Sequence, residues 1–190
     1  MSDPTQPGTA PPPSDWITRF AGLIRPAGSV LDLAAGSGRH TRYFLGLGHR
    51  VVAVDRDVSR LADLAADAHR AKITAEVIEA DLETGAPLPL AGRRFDGVVV
   101  TNYLYRPLFA ELRNALAPCG VLLYETFGIG NEVYGRPRNP DHLLRPGELL
   151  ELARGQLEVV AYESGLVERN GSAVIQRLCA RRDGDAPARL

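Results

Sequence analysis

No apolar run in the 190-residue sequence approaches the roughly 18–20 residues needed to span a bilayer, so membrane insertion is not expected. Met1 to Ser14 is built from Pro, Thr, Gly and Ser without an apolar segment of signal-peptide type, so secretion is not expected either. Cysteine is scarce. Cys119 and Cys179 lie far apart, and no CxxC or Cys/His cluster has metal-ligand spacing, so no metal is expected and the thiols suit a reducing cytoplasm. An excess of one charge is also missing: 22 basic against 23 acidic residues leave a formal charge of -1. That argues against nucleic acid as a partner, and neither a basic run nor an aromatic stacking platform speaks for it. Lysine is almost absent, with Lys72 alone among arginines, and nothing mechanistic follows from it.

What is present describes a globule with a real core: 45% apolar and 24% charged residues in a length suited to one domain. Residues 1–13 hold five prolines with little to bury and read as a disordered tail. A single domain is expected over 14–182, followed by a frayed terminus at 183–190. Trp16, Ile17, Phe20, Leu23 and Ile24 recur at helical spacing after a possible N-cap at Ser14. Short apolar runs then alternate with helical patterns. Strands are expected at Val30–Ala35, Val51–Val54, Ile73–Ala80, Val98–Thr101 and Val121–Thr126. Helices are expected over Arg39–Leu47, from Asp57 through Leu61, Leu64, Ala65 and Ala68, and from Pro107 to Leu116. Strands apolar on both faces and separated by helices predict a doubly wound α/β fold with a mostly parallel sheet. Phe127–Arg145 reads as a long loop and Pro146–Ala153 as a short helix. Leu157–Glu163 and Ala173–Ala180, joined near Asn170-Gly171, read as an antiparallel hairpin closing a seven-stranded sheet.

The chemistry concentrates at the carboxyl ends of these strands. Asp32 lies inside an otherwise apolar strand, where a lone carboxylate is expensive and calls for a partner. Gly36 and Gly38 then permit a tight turn into a helix whose N–H groups favour an anion. Asp55 ends the second strand 19 positions after Gly36, where an acid accepts hydrogen bonds from ribose hydroxyls. Asp57 can cap the next helix, which leaves Asp55 to the ligand. A dinucleotide fingerprint fails because Thr41 occupies the position of the third glycine. An early acid at Asp32 would repel a pyrophosphate but suits a ligand with an ammonium group. S-adenosylmethionine carries an ammonium, a carboxylate and a ribose, and no phosphate.

The segment Asp32-Leu33-Ala34-Ala35-Gly36-Ser37-Gly38 resembles the first motif of class I S-adenosylmethionine-dependent methyltransferases, acid-x-Gly-x-Gly-x-Gly, with Ala34 in place of the first glycine. The resemblance extends over Val30–Thr126 and to the final hairpin. The small size and the short link from Leu82 to Arg94 resemble the small tellurite-resistance-type methyltransferases. The resemblance implies Asp32 near the methionine ammonium, and the backbone of Ala34, Gly36, Ser37 and Gly38 along the methionine tail. It implies Asp55 on the ribose, Arg56 bordering the adenine, Asp81 accepting from the adenine amine beside the backbone of Leu82, and Thr101-Asn102-Tyr103 at the methyl end.

A sulfonium methyl is already activated, so positioning and exclusion of water do most of the work. Candidate proton acceptors are Tyr103, Tyr105, Glu125 and His142. In the long loop, whose glycines permit movement, Tyr134, Arg136 and Arg138 are candidates for receiving a small-molecule acceptor, making the loop a substrate lid. Trp16 is a candidate for closing the other side. Two further readings stay open at this point: a non-catalytic S-adenosylmethionine-binding regulator, and an NAD-dependent oxidoreductase, which Thr41 and the hairpin oppose. The acceptor and the oligomeric state are not legible.

Overall fold

The computed structural model describes residues 11–64, 74–90, 92–168 and 171–183. Seven strands form one sheet: β1 (Ser29–Leu33), β2 (Arg50–Asp55), β3 (Ala75–Glu79), β4 (Phe95–Thr101), β5 (Leu116–Phe127), β6 (Glu158–Glu168) and β7 (Ser172–Arg181). Their order is β3-β2-β1-β4-β5-β7-β6. The first five run parallel, and β7 lies antiparallel to both β5 and β6. The doubly wound sheet with a closing antiparallel hairpin expected from the sequence is the observed fold. The chain leaves β1 towards β2 on one side and β4 continues on the other, so a crevice opens at the carboxyl ends where the strand order reverses.

The helices are α1 (Asp15–Phe20), α2 (Arg39–Gly46), α3 (Phe109–Asn114) and α4 (Glu148–Ala153). Ser14 caps α1 by accepting from the Trp16 N–H at 3.2 Å. Alternation along the strands sends side chains to two cores. Leu31, Leu33, Val98, Val100, Leu122 and Tyr124 pack on the face with Leu108, Leu112, Leu149 and Leu152. Val30, Val51, Val99, Val121, Leu123 and Cys179 pack on the other with Trp16, Ile17, Phe20 and Phe44. Each buried leucine or valine contributes about 1.5–3 kcal/mol, so removing α1 would strip cover from half the sheet.

Several boundaries differ from the expectation, among them the start of β4, at Phe95 and not Val98. The helix beginning near Pro107 stops at Asn114, because Leu116 already pairs with Phe95 and the Phe95 N–H donates to Ala115 at 2.7 Å. β5 therefore starts at Leu116 and carries an irregularity before Val121. A Cβ on Gly120 would stand 2.8 Å from the Phe95 carbonyl oxygen, so glycine is required there. The hairpin strands run longer than predicted, β6 to Glu168 and β7 from Ser172. Leu61 and Leu64 are buried as expected. Ala65, Ala68, Ile73, Asn170, most of the expected tail and all but Asp183 of the expected frayed terminus lie outside the described residues.

Candidate active site

β1 carries Asp32, which is buried beneath the glycine turn and does not line the cavity described below. It is 1% exposed, and Thr41, in the first turn of α2, donates to its Oδ2 at 2.6 Å. Burial drives its pKa up to about 6 against the opposing hydrogen bonds from Thr41 and the charge of Arg39. The partner the sequence demanded is thus the residue whose failure to be glycine spoke against NAD. Sequence reasoning missed the pairing because Thr41 lies nine positions on, a contact that only the turn between β1 and α2 creates.

That turn needs left-handed backbone at Ala34 (φ 54), Gly36 (φ 57) and Gly38 (φ 74). Alanine in place of the motif's first glycine therefore keeps a glycine-type conformation. The two glycines differ in what surrounds them. A Cβ on Gly36 would meet nothing, whereas one on Gly38 would stand 2.4 Å from Leu61 Cδ2. Gly38 is required by packing of the loop on the next element, and Gly36 leaves the loop surface open.

Asp55, at the end of β2, is not as free as the sequence suggests. Its Oδ2 accepts from the Gly36 N–H at 2.7 Å and its Oδ1 from the Asp57 N–H at 3.0 Å. The carboxylate staples the glycine turn to β2, and each oxygen retains capacity for one further donor. Asp57 in turn accepts from the Ser59 N–H at 3.0 Å, heading a short 3-10 turn.

A cavity of about 510 Å³ opens beside this loop, within the usual size of a small-ligand site. Ala34, Asp55, Arg56, Ala80, Asp81, Leu82 and Glu83 form one wall, from the ends of β1, β2 and β3. The opposite wall is Asn102, Tyr103 and Leu104 after β4, Thr126 and Phe127 ending β5, and Pro137 and His142 from the long loop. Asn102 is also left-handed (φ 55), and its N–H donates to the Glu125 carbonyl at 2.9 Å. The Tyr103 hydroxyl is buried beside the Glu83 carboxylate. Burial and the Glu83 carboxylate beside it raise its pKa well above the ordinary phenol value.

Of the other candidates, Asp32, Gly36, Ser37, Gly38, Thr101, Tyr105 and Glu125 do not line the cavity. Thr101 Oγ1 lies 3.3 Å from His40 Nδ1, Tyr105 donates to the Glu83 carbonyl at 3.3 Å, and Glu125 accepts from Arg177 Nε at 2.5 Å on the α1 face. Trp16 is 2% exposed and donates to the Leu178 carbonyl at 3.3 Å, which makes it a core residue and not a closing flap. Tyr134, Arg136 and Arg138 are exposed and off the wall, with Pro137 turned into it instead.

The long loop is tied down at several points, contrary to the expected lid. Buried Asn131 donates to the carbonyls of Arg136 and Pro137 at 3.3 and 3.5 Å and accepts from the Val174 N–H at 3.2 Å. Arg106 donates to the carbonyls of Asp141 and Leu143, on either side of His142, at 2.6 and 2.9 Å. It also grips buried Glu148 with two bonds of 2.6 and 3.0 Å. Burial alone would raise the Glu148 pKa, yet Arg106 and the Arg145 N–H hold it below the usual carboxylate range. Gln176 donates to the Arg145 carbonyl at 2.7 Å. None of Asn131, Arg106, Glu148 or Gln176 carried a sequence signal. Thr126 and Phe127 could have been found from the rule that ligands sit beyond the carboxyl ends of parallel strands.

The residues present fit S-adenosylmethionine. Acids end β2 and follow β3, and a glycine turn adjoins them in which a Cβ on Gly36 would meet nothing, leaving its surface open to a ligand. No group of three or more candidate metal ligands occurs among the described residues. No described helix is long and apolar enough to cross a membrane.

Comparison with known proteins agrees with this geometry. A family described as a methyltransferase domain matches residues 30–120. No curated protein sequence matches. Among solved structures, TehB from Haemophilus influenzae superposes with a TM-score of 0.72 at 20% identity over 88% of this chain, which spans 61% of TehB. A 1,6-didemethyltoxoflavin-N1-methyltransferase from Burkholderia thailandensis, with 1,6-didemethyltoxoflavin and S-adenosylhomocysteine bound, gives 0.64 at 25% identity over 89% of this chain and 76% of its own. A SAM-dependent methyltransferase from Methanosarcina mazei gives 0.66 at 15% identity over 86% and 96%. Residues 30–120, from β1 to the start of β5, thus match a methyltransferase domain, and the sheet as a whole has the fold of these solved structures.

Proposed function

We propose that the protein transfers a methyl group from S-adenosylmethionine to a small-molecule acceptor bound against the wall formed by Tyr103, Leu104, Phe127 and His142. The observation that carries this reading is the meeting, in one cavity, of an acid-bearing wall from β1–β3 and a wall of mixed apolar and polar side chains from β4, β5 and the long loop. The Burkholderia thailandensis enzyme, which holds a small molecule beside S-adenosylhomocysteine, supports an acceptor of that size here.

When bound, S-adenosylmethionine supplies a sulfonium-activated methyl group for in-line transfer. The protein's part is to bind and orient. Asp55 accepts from the ribose hydroxyls with the capacity left on its two oxygens, Asp81 accepts from the adenine amine, and Arg56 and the Leu82 backbone border the base. Gly36, Ser37 and Gly38 give the methionine end a turn without obstructing side chains, and the charge of Asp32 lies behind it. Thr101 contributes by holding Asn102 in place. Loop clamping by Arg106 and Asn131 keeps Pro137 and His142 against the cavity and excludes water. His142 and Tyr103 border the acceptor side, where an imidazole can take a proton from a neutral acceptor. Cytoplasmic location is part of this reading, supported by two free cysteines, Cys119 exposed and Cys179 buried with its thiol pushed up to about 12 by that burial.

The test is twofold. Thermal denaturation with S-adenosylmethionine, S-adenosylhomocysteine and NAD should show stabilisation by the first two alone. Labelled methyl from the donor should enter a compound in a small-metabolite mixture. Stabilisation by NAD only, or label that never leaves the donor, would overturn the proposal.

A further inference from the structure

The long loop meets the cavity through two side chains, Pro137 and His142, and the backbone around His142 is held on both sides. Its N–H donates to the Asn139 carbonyl at 3.0 Å, and the next two residues, Leu143 and Leu144, are buried. The Leu144 N–H donates to the Phe127 carbonyl at 2.9 Å, which joins the segment to the end of β5. The carbonyls of the residues before and after His142 accept from one guanidinium. Arg106 Nη1 donates to Asp141 at 2.6 Å and Nη2 to Leu143 at 2.9 Å.

Arg106 is itself fixed by a third group. Its Nε and Nη2 donate to the two carboxylate oxygens of Glu148 at 2.6 and 3.0 Å, a fork-on-fork contact that sets the plane of the guanidinium. Glu148 is buried at the start of α4 and also accepts from the Arg145 N–H at 2.8 Å. Arg106 follows β4 closely, just after Asn102, Tyr103 and Leu104, which line the same wall as His142. One side chain therefore ties together two separate stretches of that wall. Its titratable groups are Tyr103 and His142. The Tyr103 hydroxyl is buried beside the Glu83 carboxylate, whereas His142 stands exposed at the cavity edge.

Resting on the methyltransferase reading, we infer that Arg106 is a positioning residue for methyl transfer: by holding the carbonyls on both sides of His142 it aims the imidazole at the acceptor, and Glu148 acts one step behind by holding Arg106. In the transfer a lone pair of the acceptor heteroatom bonds to the methyl carbon while the carbon–sulfur bond breaks, its electron pair remaining on sulfur. Where that heteroatom carries a proton, the proton passes to the His142 imidazole and from there to water. The ring must lie within hydrogen-bond reach of the heteroatom, and a displacement of about 1 Å can cost about a hundredfold in rate.

Lysine separates aiming from simple charge pairing. Arg106→Lys keeps a cation for Glu148, but an ammonium carries its donors on one nitrogen and cannot span a carboxylate and two carbonyls. The variant should stay folded and bind S-adenosylhomocysteine with unchanged affinity. In the unaltered protein the ring resonances of His142, assigned with His142→Gln, should shift when S-adenosylhomocysteine is added. In Arg106→Lys that response should be lost, and turnover of the acceptor found with labelled methyl should fall at least about tenfold with KM for S-adenosylmethionine unchanged. If the lysine variant does not fold, Arg106→Gln combined with Glu148→Gln removes both charges together and should show the same losses. A variant that keeps the His142 response and the turnover of the unaltered protein would reduce Arg106 to a partner for Glu148 and refute the inference. Resonances of His142 that ignore the nucleoside in the unaltered protein would refute it equally. Failure of S-adenosylhomocysteine to bind the unaltered protein would instead remove the methyltransferase reading itself.

Discussion

Asp32 illustrates how a buried acid is kept at a cost to the fold. With its pKa raised from 3.8 to about 6 by burial, the folded state binds more protons than the unfolded chain between those values. Stability is therefore highest with Asp32 protonated and falls as the pH rises through about 6. Asp32→Asn keeps an oxygen for the Thr41 hydroxyl and removes the buried charge. It should stabilise the protein by about 2–3 kcal/mol above pH 7 and by little below pH 4, measured by urea unfolding across that range, while weakening donor binding. The two glycines offer a second contrast. Gly36→Ala strains only a left-handed backbone, at about 1–2 kcal/mol. Gly38→Ala adds the clash with buried Leu61 and should lower the melting temperature further. Of the constellation read from the sequence, Asp55 lines the cavity while Asp32, Gly36 and Gly38 lie in the turn beside it. Their internal bonds were not legible in the sequence. That Asp55 staples the Gly36 N–H and Thr41 answers Asp32 depends on how a turn folds back, which periodicity does not encode.

At the scale of elements, strands buried on both faces were readable because they are continuous apolar runs, and β1, β2 and β4 fall where those runs occur. Boundaries were missed where a tertiary contact overrides local preference, as at Leu116, which pairs with Phe95 although its helical register with Leu112 is intact. The long loop was misjudged for a related reason. Glycines advertise freedom, but Asn131, Arg106 and Gln176 remove it, and hydrogen bonds from distant side chains leave no pattern in sequence. Arg106 should prove the main anchor. Its partner Glu148 is 5% exposed on the side chain, so Arg106→Ala leaves a buried carboxylate with the Arg145 bonds alone and should cost about 3 kcal/mol. The solvent-facing pair Arg154–Glu151, with both side chains more than half exposed, should tolerate Arg154→Ala with a loss below about 0.5 kcal/mol. Hydrogen exchange at the Ile129 and Leu144 amides, which bond to the Leu144 and Phe127 carbonyls, should accelerate in Asn131→Ala if that side chain holds the loop, and remain unchanged if it does not.

Across the whole molecule, His40 joins three parts of the fold. Its Nε2 accepts from the Ser14 N–H at 3.1 Å and its Nδ1 meets Thr101, so α1, α2 and β4 converge on one buried imidazole. Burial first, then the charge of Arg39, lower its pKa from 6.5 to about 3. The unfolded chain takes up a proton in that interval and the folded one does not, so stability is lost as the pH falls below about 6.5. Asp32 works in the opposite direction between about 6 and 4 and offsets part of the loss. Acid unfolding should therefore be shallower in His40→Gln than in the unaltered protein. An unchanged acid limb would mean that the imidazole contributes nothing to it.

The two sides of the cavity also come from separate stretches of the polypeptide, one ending at Glu83 and the other beginning at Asn102. Recombination between them would leave each side whole. Exchange of the downstream half would thus rebuild one wall of the cavity and leave the other as it was, and hybrid proteins joined between these stretches would show it in the laboratory.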